Sequence, residues 1–360
     1  MFKIVTILGA RPQFVKAAVV SRELNRFPNK FREIIVHTGQ HFDKNMSEVF
    51  FQQMDIPKPN YYLGINSLSH GAMTGQMLEK IEEVLQKERP DLVLIYGDTN
   101  STLAGALAAV KLHIPVAHVE AGLRSFNMNM PEEVNRILAD RVSSYLFCPT
   151  QQAVENLKKE GFANIPAEII LSGDVMQDAA IYYAAKDSVL PEKLQQLTKG
   201  DFVLCTLHRQ ENTDDPVRLE NLVNALNEIH REMPVLLPLH PRTRKILNNS
   251  NLKLQVNVTE PLGYLEMVQL LQKCRMVMTD SGGLQKEAFF FKKHCITLRD
   301  ETEWVELVEG GYNMLAGADR QKIIAAFKEM RQKTSDFEVD LYGGGKAGQR
   351  IVARLLKLAD

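Results

Sequence analysis

Short apolar runs alternate with amphipathic stretches along the first half of the chain. The apolar residues in these runs are nearly continuous, as expected for parallel strands that are covered on both faces. Between the runs, Met77, Ile81 and Leu85 recur at every fourth position, which is typical of a helix. The pattern predicts six strands, at Lys3–Leu8, Ile34–His37, Leu92–Tyr96, Val116–Val119, Tyr145–Cys148 and Glu168–Leu171. This alternation indicates βαβ units and hence a doubly wound sheet.

The pattern starts again in the second half of the chain. It predicts strands at Phe202–Leu207, Val235–Leu239, Leu254–Val258, Met276–Thr279 and Cys295–Leu298. It predicts helices at Val217–Arg231, Tyr264–Lys273, Gly283–Phe291 and Gln321–Lys333. We therefore expect an α/β protein with two Rossmann-like, doubly wound domains, residues 1–173 and 174–345, that face a central cleft.

Composition and charge exclude several classes of protein. The 360 residues carry a net charge of −1, so no large positive charge favours nucleic acid or an acidic membrane. The N-terminus lacks the features of a signal peptide, and no apolar run approaches the ~18 residues that span a bilayer. The four cysteines are far apart in sequence, which favours buried thiols over disulfides or a zinc site. We expect a cytoplasmic protein with no nucleic-acid or membrane partner.

The first predicted strand ends in a glycine turn that leads directly into a helix. Arg11 and Lys16 bring two cations to the positive end of the helix dipole, which suits an anion better than it suits the helix. The turn lacks the GxGxxG fingerprint, so no dinucleotide cofactor is indicated. The alternative is a plain βα turn with solvated charges.

Carboxylates follow two further strands at the same predicted sheet edge. Asp98 comes after one strand and Glu120 after the next, and a helix beginning shortly afterwards carries Glu132 in its first turn. Taken singly, Asp98 could cap a helix and Glu120 could pair with Arg124. The first-turn acids could simply be favoured by the helix dipole. Together, three acids converging on one edge predict acid/base chemistry.

In the second half, histidines and a glycine-rich turn occupy the corresponding places. His208 follows one strand and His240 the next, where an imidazole can donate to phosphate or titrate near neutral pH. The alternative for each is a structural histidine. The segment Ser281, Gly282 and Gly283 opens a helix after a third strand, and Glu287 follows in that helix.

The backbone N–H groups of this glycine-rich turn predict a phosphate site, and Glu287 could bond ribose hydroxyls. The alternative is a Ser-capped helix without a ligand. An acid-rich wall and a phosphate-binding wall together suit a nucleotide-activated substrate whose other half undergoes acid/base chemistry.

Four segments together resemble the non-hydrolysing UDP-N-acetylglucosamine 2-epimerases, over essentially the whole chain. They are Gly97-Asp98-Thr99, His118–Arg124, Pro131–Arg136 and Asp280–Gly283. The resemblance implies a glycosyltransferase-B-like fold, a homodimer, and a C-terminal helix in residues 346–360 that packs back on the N-terminal domain. It implies no metal or redox cofactor, with a UDP-activated N-acetylated sugar and UDP as the bound partners.

The family reaction, as the resemblance implies it, is elimination of UDP to a 2-acetamidoglucal intermediate and re-addition with C2 inverted. The matching acid/base residues are Asp98, Glu120 and Glu132, with His208 close to the reaction. The matching substrate-binding residues are Arg11, Lys16, Arg136, His240, Ser281, Gly282, Gly283 and Glu287. Which carboxylate removes the C2 proton stays open.

Several departures from the family pattern point to a subgroup. The usual glutamate after Arg-Pro is Gln13, an arginine is replaced by Trp304, and Gln210 replaces a second arginine. These, with the segments Gln40–Asp43 and Arg299–Trp304, resemble enzymes that act on UDP-2,3-diacetamido-2,3-dideoxy-glucuronate for O-antigen or capsule synthesis. The loss of a negative charge at Gln13 favours a uronate, whereas the loss of an arginine at Trp304 opposes it.

Four alternatives stay open at this point. One is a UDP-N-acetylglucosamine 2-epimerase that makes UDP-N-acetylmannosamine. The second is a glycosyltransferase of the same fold, which needs one base and an acceptor site rather than three acids. The others are a catalytically silent nucleotide-sugar-binding protein and a hydrolysing relative.

Overall fold

The computed structural model describes residues 1–40, 51–52, 58–186 and 189–359. Within this part the chain forms two compact units, residues 1–179 together with 340–360, and residues 180–339. Of the segment Gln40–Asp43 that the sequence singled out, only Gln40 is among the described residues.

The first unit is built on a seven-stranded sheet in the order β3-β2-β1-β4-β5-β6-β7, and all its strand pairs are parallel. Its strands are β1 Phe2–Leu8, β2 Phe31–His37, β3 Tyr61–Tyr62, β4 Leu92–Tyr96, β5 Val116–Val119, β6 Tyr145–Cys148 and β7 Glu168–Leu171. Its helices are α1 Arg11–Leu24, α2 His70–Glu88, α3 Asn100–Lys111, α4 Pro131–Val142, α5 Gln151–Lys159, α6 Val175–Ala184, which runs on into the second unit, and the last helix, Ala347–Ala359.

The second unit is built on a six-stranded parallel sheet in the order β10-β9-β8-β11-β12-β13. Its strands are β8 Val203–Thr206, β9 Val235–Pro238, β10 Asn257–Thr259, β11 Met276–Thr279, β12 His294–Thr297 and β13 Asn313–Leu315. Its helices are α7 Glu192–Leu197, α8 Gln210–Thr213, α9 Pro216–Glu232, α10 Pro241–Asn248, α11 Tyr264–Lys273, α12 Gly282–Phe290, α13 Val305–Glu309 and α14 Arg320–Gln332; the last helix of the chain is α15.

The predicted fold class, α/β with two doubly wound parallel sheets, is confirmed. Strands such as β4 are buried along their whole length, because helices cover both faces of the sheet. Two strands escaped prediction, β3 and β13, which have only two and three residues. Strand β10 begins three residues later than the predicted Leu254, within a segment that lacks a clear apolar run.

Helix α15 belongs to the first unit, although it follows the whole of the second unit in sequence. Its N-terminal Gly348 lies against Val19 of α1, leaving no room for a larger side chain. Asp178 accepts hydrogen bonds from the N–H groups of Ala347 and Gly348 at 3.1 and 2.9 Å. These bonds satisfy two of the donors that the start of a helix leaves unpaired.

The order of the strands reverses between β1 and β4 in the first sheet and between β8 and β11 in the second. These two places are the topological switch points of the sheets. At such points the connections leave in opposite directions, and the carboxyl ends of the strands outline a crevice. The register brings Thr206 beside Thr279, so the residues that follow β8 and β11 meet at the second switch point.

All four cysteines, Cys148, Cys205, Cys274 and Cys295, are free and buried, as the sequence predicted. Burial raises the pKa of the Cys274 and Cys295 thiols to about 12, because a thiolate is poorly solvated there. Among the described helices, none combines the length and the apolar composition needed to cross a membrane.

Candidate active site

The first unit carries a buried ion pair at the carboxyl ends of its central strands. Lys16 on α1 donates a hydrogen bond to the Oε2 atom of Glu120, and both side chains are about one-tenth exposed. Gly97 lies directly against this pair: a Cβ atom on Gly97 would be 3.0 Å from the lysine Nζ and 3.2 Å from the carboxylate. A side chain at this position would therefore crowd the pair.

The backbone at Glu120 is in the left-handed region, with φ of 76°. This conformation is uncommon for a residue other than glycine and costs on the order of 1 kcal/mol or more, so the surrounding contacts must hold it. The N–H groups of Glu120 and Ala121 both donate to the carbonyl of Phe147, at 3.1 Å each. The sequence-based alternative that Glu120 pairs with Arg124 is wrong, since its partner is Lys16.

Asp98 is held by Arg136 rather than by a helix N-terminus. The Nη2 atom of Arg136 donates to Asp98 Oδ2 at 2.6 Å, and its Nη1 atom donates to Glu133 at 2.8 Å. The neighbouring Asn135 side chain donates to the Asp98 carbonyl at 2.9 Å. The start of α4 thus fixes the turn after β4, and the cap of α3 is the next residue, Thr99.

The two acids at the start of α4 have opposite environments. Glu132 is exposed, whereas Glu133 is fully buried and accepts bonds from the N–H groups of Ser125 and Phe126. Burial by itself raises the pKa of Glu133, but these bonds and Arg136 outweigh it and hold the pKa below the ordinary value. Glu133 is therefore a structural carboxylate, and Glu132 is the one exposed to solvent.

Gln13 organises the turn at the first switch point. Its side-chain oxygen accepts from the N–H groups of Gly9 and Ala10, at 2.8 and 2.9 Å. Its amide nitrogen donates to the Tyr96 carbonyl at 2.8 Å and to the Thr102 hydroxyl at 3.0 Å. The side chain is buried, so this residue acts through the backbone it orders. Arg11, on the same turn, is partly exposed.

A chain of buried polar residues that sequence reasoning missed lies beneath the acids. His118, on β5, contacts the Gly97 carbonyl through Nε2 at 2.7 Å and Asp140 through Nδ1 at 2.7 Å. Asp140 also accepts from Arg124 at 2.7 Å, and Arg124 forms a two-bond ion pair with Glu160. The available signal was a histidine inside a strand that is otherwise apolar.

The second unit places His208 beside Asp280 at its switch point. Asp280 is fully buried and accepts from His208 Nδ1 at 2.7 Å, and from the backbone N–H groups of His208 and Arg209. Burial alone raises the pKa of Asp280, but the hydrogen bond from His208 and these N–H groups keep it below its usual value. The His208 side chain is 44% exposed, and within the described part of the chain its Nε2 atom has no hydrogen-bond partner.

Asp280 was quoted in the sequence motif but given no role there. Its carboxylate lies 2.7 Å from Nδ1 of His208, a contact that orients the ring, as orienting carboxylates do for functional histidines. His240 is exposed and caps α10, accepting from the Arg242 N–H at 3.3 Å. Burial, His208 and Arg242 together lower the pKa of His240, which favours its neutral form.

The predicted phosphate turn opens helix α12 as expected. Ser281 caps the helix, Gly282 and Gly283 form its first residues, and Glu287 is buried one turn further on. The Glu303 carboxylate lies against the Cα atom of Gly282, where a Cβ atom would collide with it. The turn therefore presents backbone N–H groups at a helix N-terminus, an arrangement that binds anions.

Trp304, one of the departures from the family pattern, supports this turn. Its indole N–H donates to the Gly282 carbonyl at 2.9 Å, and the Lys286 ammonium lies 4.5 Å from the ring centroid. Both side chains are almost completely buried. The tryptophan thus supports the turn through one hydrogen bond and makes a cation–π contact with Lys286.

Each unit therefore has its own set of functional groups. The first carries a carboxylate paired with an ammonium group, a second carboxylate paired with a guanidinium group, and a solvent-exposed glutamate, which suit proton transfer. The second carries a helix N-terminus for a phosphate and an oriented histidine with one available nitrogen.

Comparison with known proteins identifies relatives whose reaction suits these functional groups. The family model described as UDP-N-acetylglucosamine 2-epimerase matches residues 22–356. A relative from Pseudomonas aeruginosa, named UDP-2,3-diacetamido-2,3-dideoxy-D-glucuronate 2-epimerase, is 58% identical over 99% of this chain and 100% of its own.

Solved structures extend the comparison to the fold. The UDP-N-acetylglucosamine 2-epimerase of Methanocaldococcus jannaschii, crystallised with UDP-N-acetylglucosamine and UDP, is 43% identical, with a TM-score of 0.89 over 99% of this chain and all of that one. The Neisseria meningitidis enzyme bound to UDP-N-acetylglucosamine is 32% identical, with a TM-score of 0.88 over 99% of this chain and all of that one. The predicted glycosyltransferase-B-like fold is thereby confirmed. The chain belongs to the UDP-N-acetylglucosamine 2-epimerase family of sugar-nucleotide isomerases.

Proposed function

We propose that this protein is a UDP-2,3-diacetamido-2,3-dideoxy-D-glucuronate 2-epimerase that makes the manno isomer for a surface polysaccharide. The observation that carries the proposal is the 58% identity, over the full length of both chains, to a relative with that name. The wider family match supports an epimerase in any case, with UDP-N-acetylglucosamine as the alternative substrate.

In the proposed reaction, a base removes the C2 proton while the C1–oxygen bond to UDP breaks. The electron pair of the C2–H bond becomes the C1–C2 double bond, and UDP leaves with the electrons of the C1–oxygen bond. Re-addition of UDP to C1, with a proton delivered to the opposite face of C2, gives the epimer. The step needs no oxidant or reductant, because UDP leaves and returns.

We assign the proton transfers to Asp98, Glu120 and Glu132. Lys16 forms an ion pair that holds the Glu120 carboxylate in one position, and Arg136 does the same for Asp98. Glu132 is exposed to solvent, so water has access to its carboxyl group. Carboxylates in such different surroundings are able to act as base and acid in one site.

We assign the binding of UDP to the second unit and, within the first unit, we assign Arg11, Lys16 and Arg136 to substrate binding. Ser281, Gly282 and Gly283 present the helix N-terminus to a phosphate, and Glu287 bonds the ribose. His208 donates or accepts through Nε2, since Asp280 engages its Nδ1 atom. His240, which contributes to the electrostatic environment of His208, lies at the next strand end of the same unit.

The uronate substrate is supported by the uncharged side chain at position 13. A glutamate there would place a carboxylate oxygen 2.8 Å from the Tyr96 carbonyl, where Gln13 donates a hydrogen bond. The amide both satisfies this carbonyl and leaves the turn without a negative charge, so the carboxylate of the uronate meets less repulsion.

Proton NMR of the purified enzyme in D₂O tests the proposal. The enzyme is given UDP-2,3-diacetamido-2,3-dideoxy-D-glucuronate and, in a separate tube, UDP-N-acetylglucosamine. We expect loss of the H2 signal and growth of a manno isomer with the uronate. The same result with UDP-N-acetylglucosamine alone would keep the reaction and change the substrate, and no exchange with either would contradict the epimerase.

Two further properties belong to the proposal. We expect a homodimer, which light scattering coupled to size-exclusion chromatography measures directly. We also expect a cytoplasmic location, where UDP-sugars are made, which fractionation of the source cells would test.

A further inference from the structure

The imidazole of His118 is enclosed between two oxygen acceptors. Its side chain has no exposed surface, and Nε2 and Nδ1 lie 2.7 Å from the Gly97 carbonyl and from Asp140. A carbonyl oxygen accepts hydrogen bonds and cannot donate them, and the same is true of an ionised carboxylate. Both bonds therefore form only when both ring nitrogens carry a hydrogen, which makes His118 an imidazolium.

Asp140 joins this histidine to the second of the two strand-end turns. Its Oδ2 atom accepts from the Gly122 N–H at 3.1 Å and from Arg124 at 2.7 Å, while Oδ1 faces His118. Burial by itself raises the pKa of Asp140, but His118 and Arg124 outweigh it and hold the pKa below the usual value. The carboxylate is thus ionised and bound on both oxygens.

One buried pair consequently fixes both turns that carry the acids. Through His118 it holds the carbonyl of Gly97, which precedes Asp98 and lies against the Lys16–Glu120 pair. Through Gly122 it holds the turn after β5, where Glu120 has its left-handed backbone. A strained backbone persists only where its surroundings determine it, and this pair supplies part of that constraint.

We propose that His118 and Asp140 are positioning residues of the epimerisation site, with a doubly protonated His118 holding the Gly97 carbonyl and thereby the Glu120 carboxylate in place. The activity readout of this proposal rests on the proposed function. Neither residue needs to touch the substrate.

Two substitutions separate the hydrogen bonds from the charge. His118→Phe removes the donor to Gly97 and leaves the Asp140 carboxylate without its histidine. Asp140→Asn keeps every bond: the amide oxygen accepts from Gly122 and Arg124, and the amide NH₂ donates to Nδ1 of a neutral His118 that still donates through Nε2. The matched control is His294→Phe, because His294 is also a buried strand histidine, bonded to Ser335 in the second unit.

We expect His118→Phe to lower kcat about 10²-fold, as misplacement of a reacting group by about 1 Å does, with the Kd of UDP unchanged. Asp140→Asn should retain most of kcat, and His294→Phe should match the wild type. In nitrogen-15 NMR the wild-type His118 should show two N–H groups, and Asp140→Asn only the Nε2 one. A wild-type ring with one N–H group, or His118→Phe with wild-type kcat, would overturn the proposal.

A crystal structure of each variant makes the test independent of activity, and the wild-type NMR spectrum makes it independent of the folding yield of any one variant. We expect the Gly97 carbonyl and the Glu120 side chain to shift in His118→Phe and to stay in place in Asp140→Asn. If the wild type exchanged no H2 proton with either sugar, the proposed function would fail while these structures and the NMR spectra still decided the positioning role. Unshifted turns in His118→Phe would overturn it.

Discussion

Two histidine–aspartate pairs, one in each unit, show how the same residue types serve different ends. In both pairs the histidine Nδ1 lies 2.7 Å from a fully buried aspartate whose pKa is held below its usual value. The His118 ring is completely enclosed and its second nitrogen contacts the Gly97 carbonyl. The His208 ring is 44% exposed.

The difference shows that the contact made by the second ring nitrogen, Nε2, decides what each pair can do. In the His118–Asp140 pair a backbone carbonyl accepts a hydrogen bond from this nitrogen, and the pair has the structural role of holding two turns. Where solvent reaches it, the aspartate orients a nitrogen that a substrate can use. The following predictions test this contrast, from the largest expected effect to the smallest.

The largest effects should come from the three proposed acid/base carboxylates, of which Asp98 and Glu120 lie at the turns that the His118–Asp140 pair holds. Asp98→Asn, Glu120→Gln and Glu132→Gln should each lower turnover by about 10²–10⁴-fold, because positioned acid/base groups contribute that much. H2 exchange in D₂O measures the loss. Glu155→Gln, an exposed glutamate on α5, is the control and should behave as the wild type. Near-normal turnover in all three variants would remove the acid/base assignment.

His208→Phe should separate activity from stability. We expect turnover to fall by about 10²-fold, because the available ring nitrogen is lost. The urea midpoint should change little, because the ring is half-exposed. His118→Phe should lower the midpoint as well, since it removes both hydrogen bonds of a fully enclosed ring, to the Gly97 carbonyl and to Asp140. Equal loss of stability in the two variants would erase the contrast between the pairs.

Asp280→Asn should change the tautomer of His208 in the solvent-exposed His208–Asp280 pair. The amide NH₂ would donate to Nδ1 of His208 and move the ring proton to Nε2, so a nitrogen that accepts becomes one that donates. Loss of an orienting partner typically costs about 10–100-fold in activity. Nitrogen-15 NMR of His208 beside the turnover assay measures both changes, and an unchanged tautomer with lowered turnover would assign the loss to another cause.

Both pairs should contribute to the acid limb of stability. The folded-state pKa values of Asp140 and Asp280 are lowered, so the unfolded chain binds more protons as the pH falls. Their stabilisation is therefore fully present above the unfolded pKa of about 3.9 and is lost as the pH falls through the lower folded values. Urea unfolding as a function of pH should show this decline, and it should be shallower in Asp140→Asn and Asp280→Asn.

Trp304→Phe should have the smallest effect. It removes the hydrogen bond to the Gly282 carbonyl but keeps an aromatic ring near Lys286. A neutral hydrogen bond contributes about 0.5–1.5 kcal/mol, so we expect UDP to bind a few-fold more weakly, by calorimetry. Val305→Ala, which changes the half-exposed neighbour, is the control. A loss of UDP affinity beyond about 10²-fold would mean that Trp304 contacts the nucleotide itself.

Most of the fold was predictable because parallel strands buried on both faces leave a strong apolar pattern. Four of the six strands predicted in the first half have the bounds found in the structure, including β4 and β5. The pattern fails for β3 and β13, where two or three residues are too few to carry a period.

The candidate residues were also predictable as a group, because strand order places the carboxyl ends of neighbouring strands at one edge. The ion-pair partners of these residues could not be predicted from the sequence. Glu120 has Lys16 as its partner, 104 positions away, and Arg124 belongs to Asp140 and Glu160. Adjacent acids at the start of α4 also differ, since Glu133 is buried and Glu132 exposed.

The sequence by itself determined the two sheets, the family and the edge at which charged residues collect, since these follow from local apolar patterns and short motifs. Only the tertiary structure decided which carboxylate pairs with which cation and which histidine keeps a nitrogen for solvent. Ion pairs and hydrogen bonds depend on distances of about 3 Å between residues far apart in sequence. Those distances exist only once the strands are in register and the helices have packed on them.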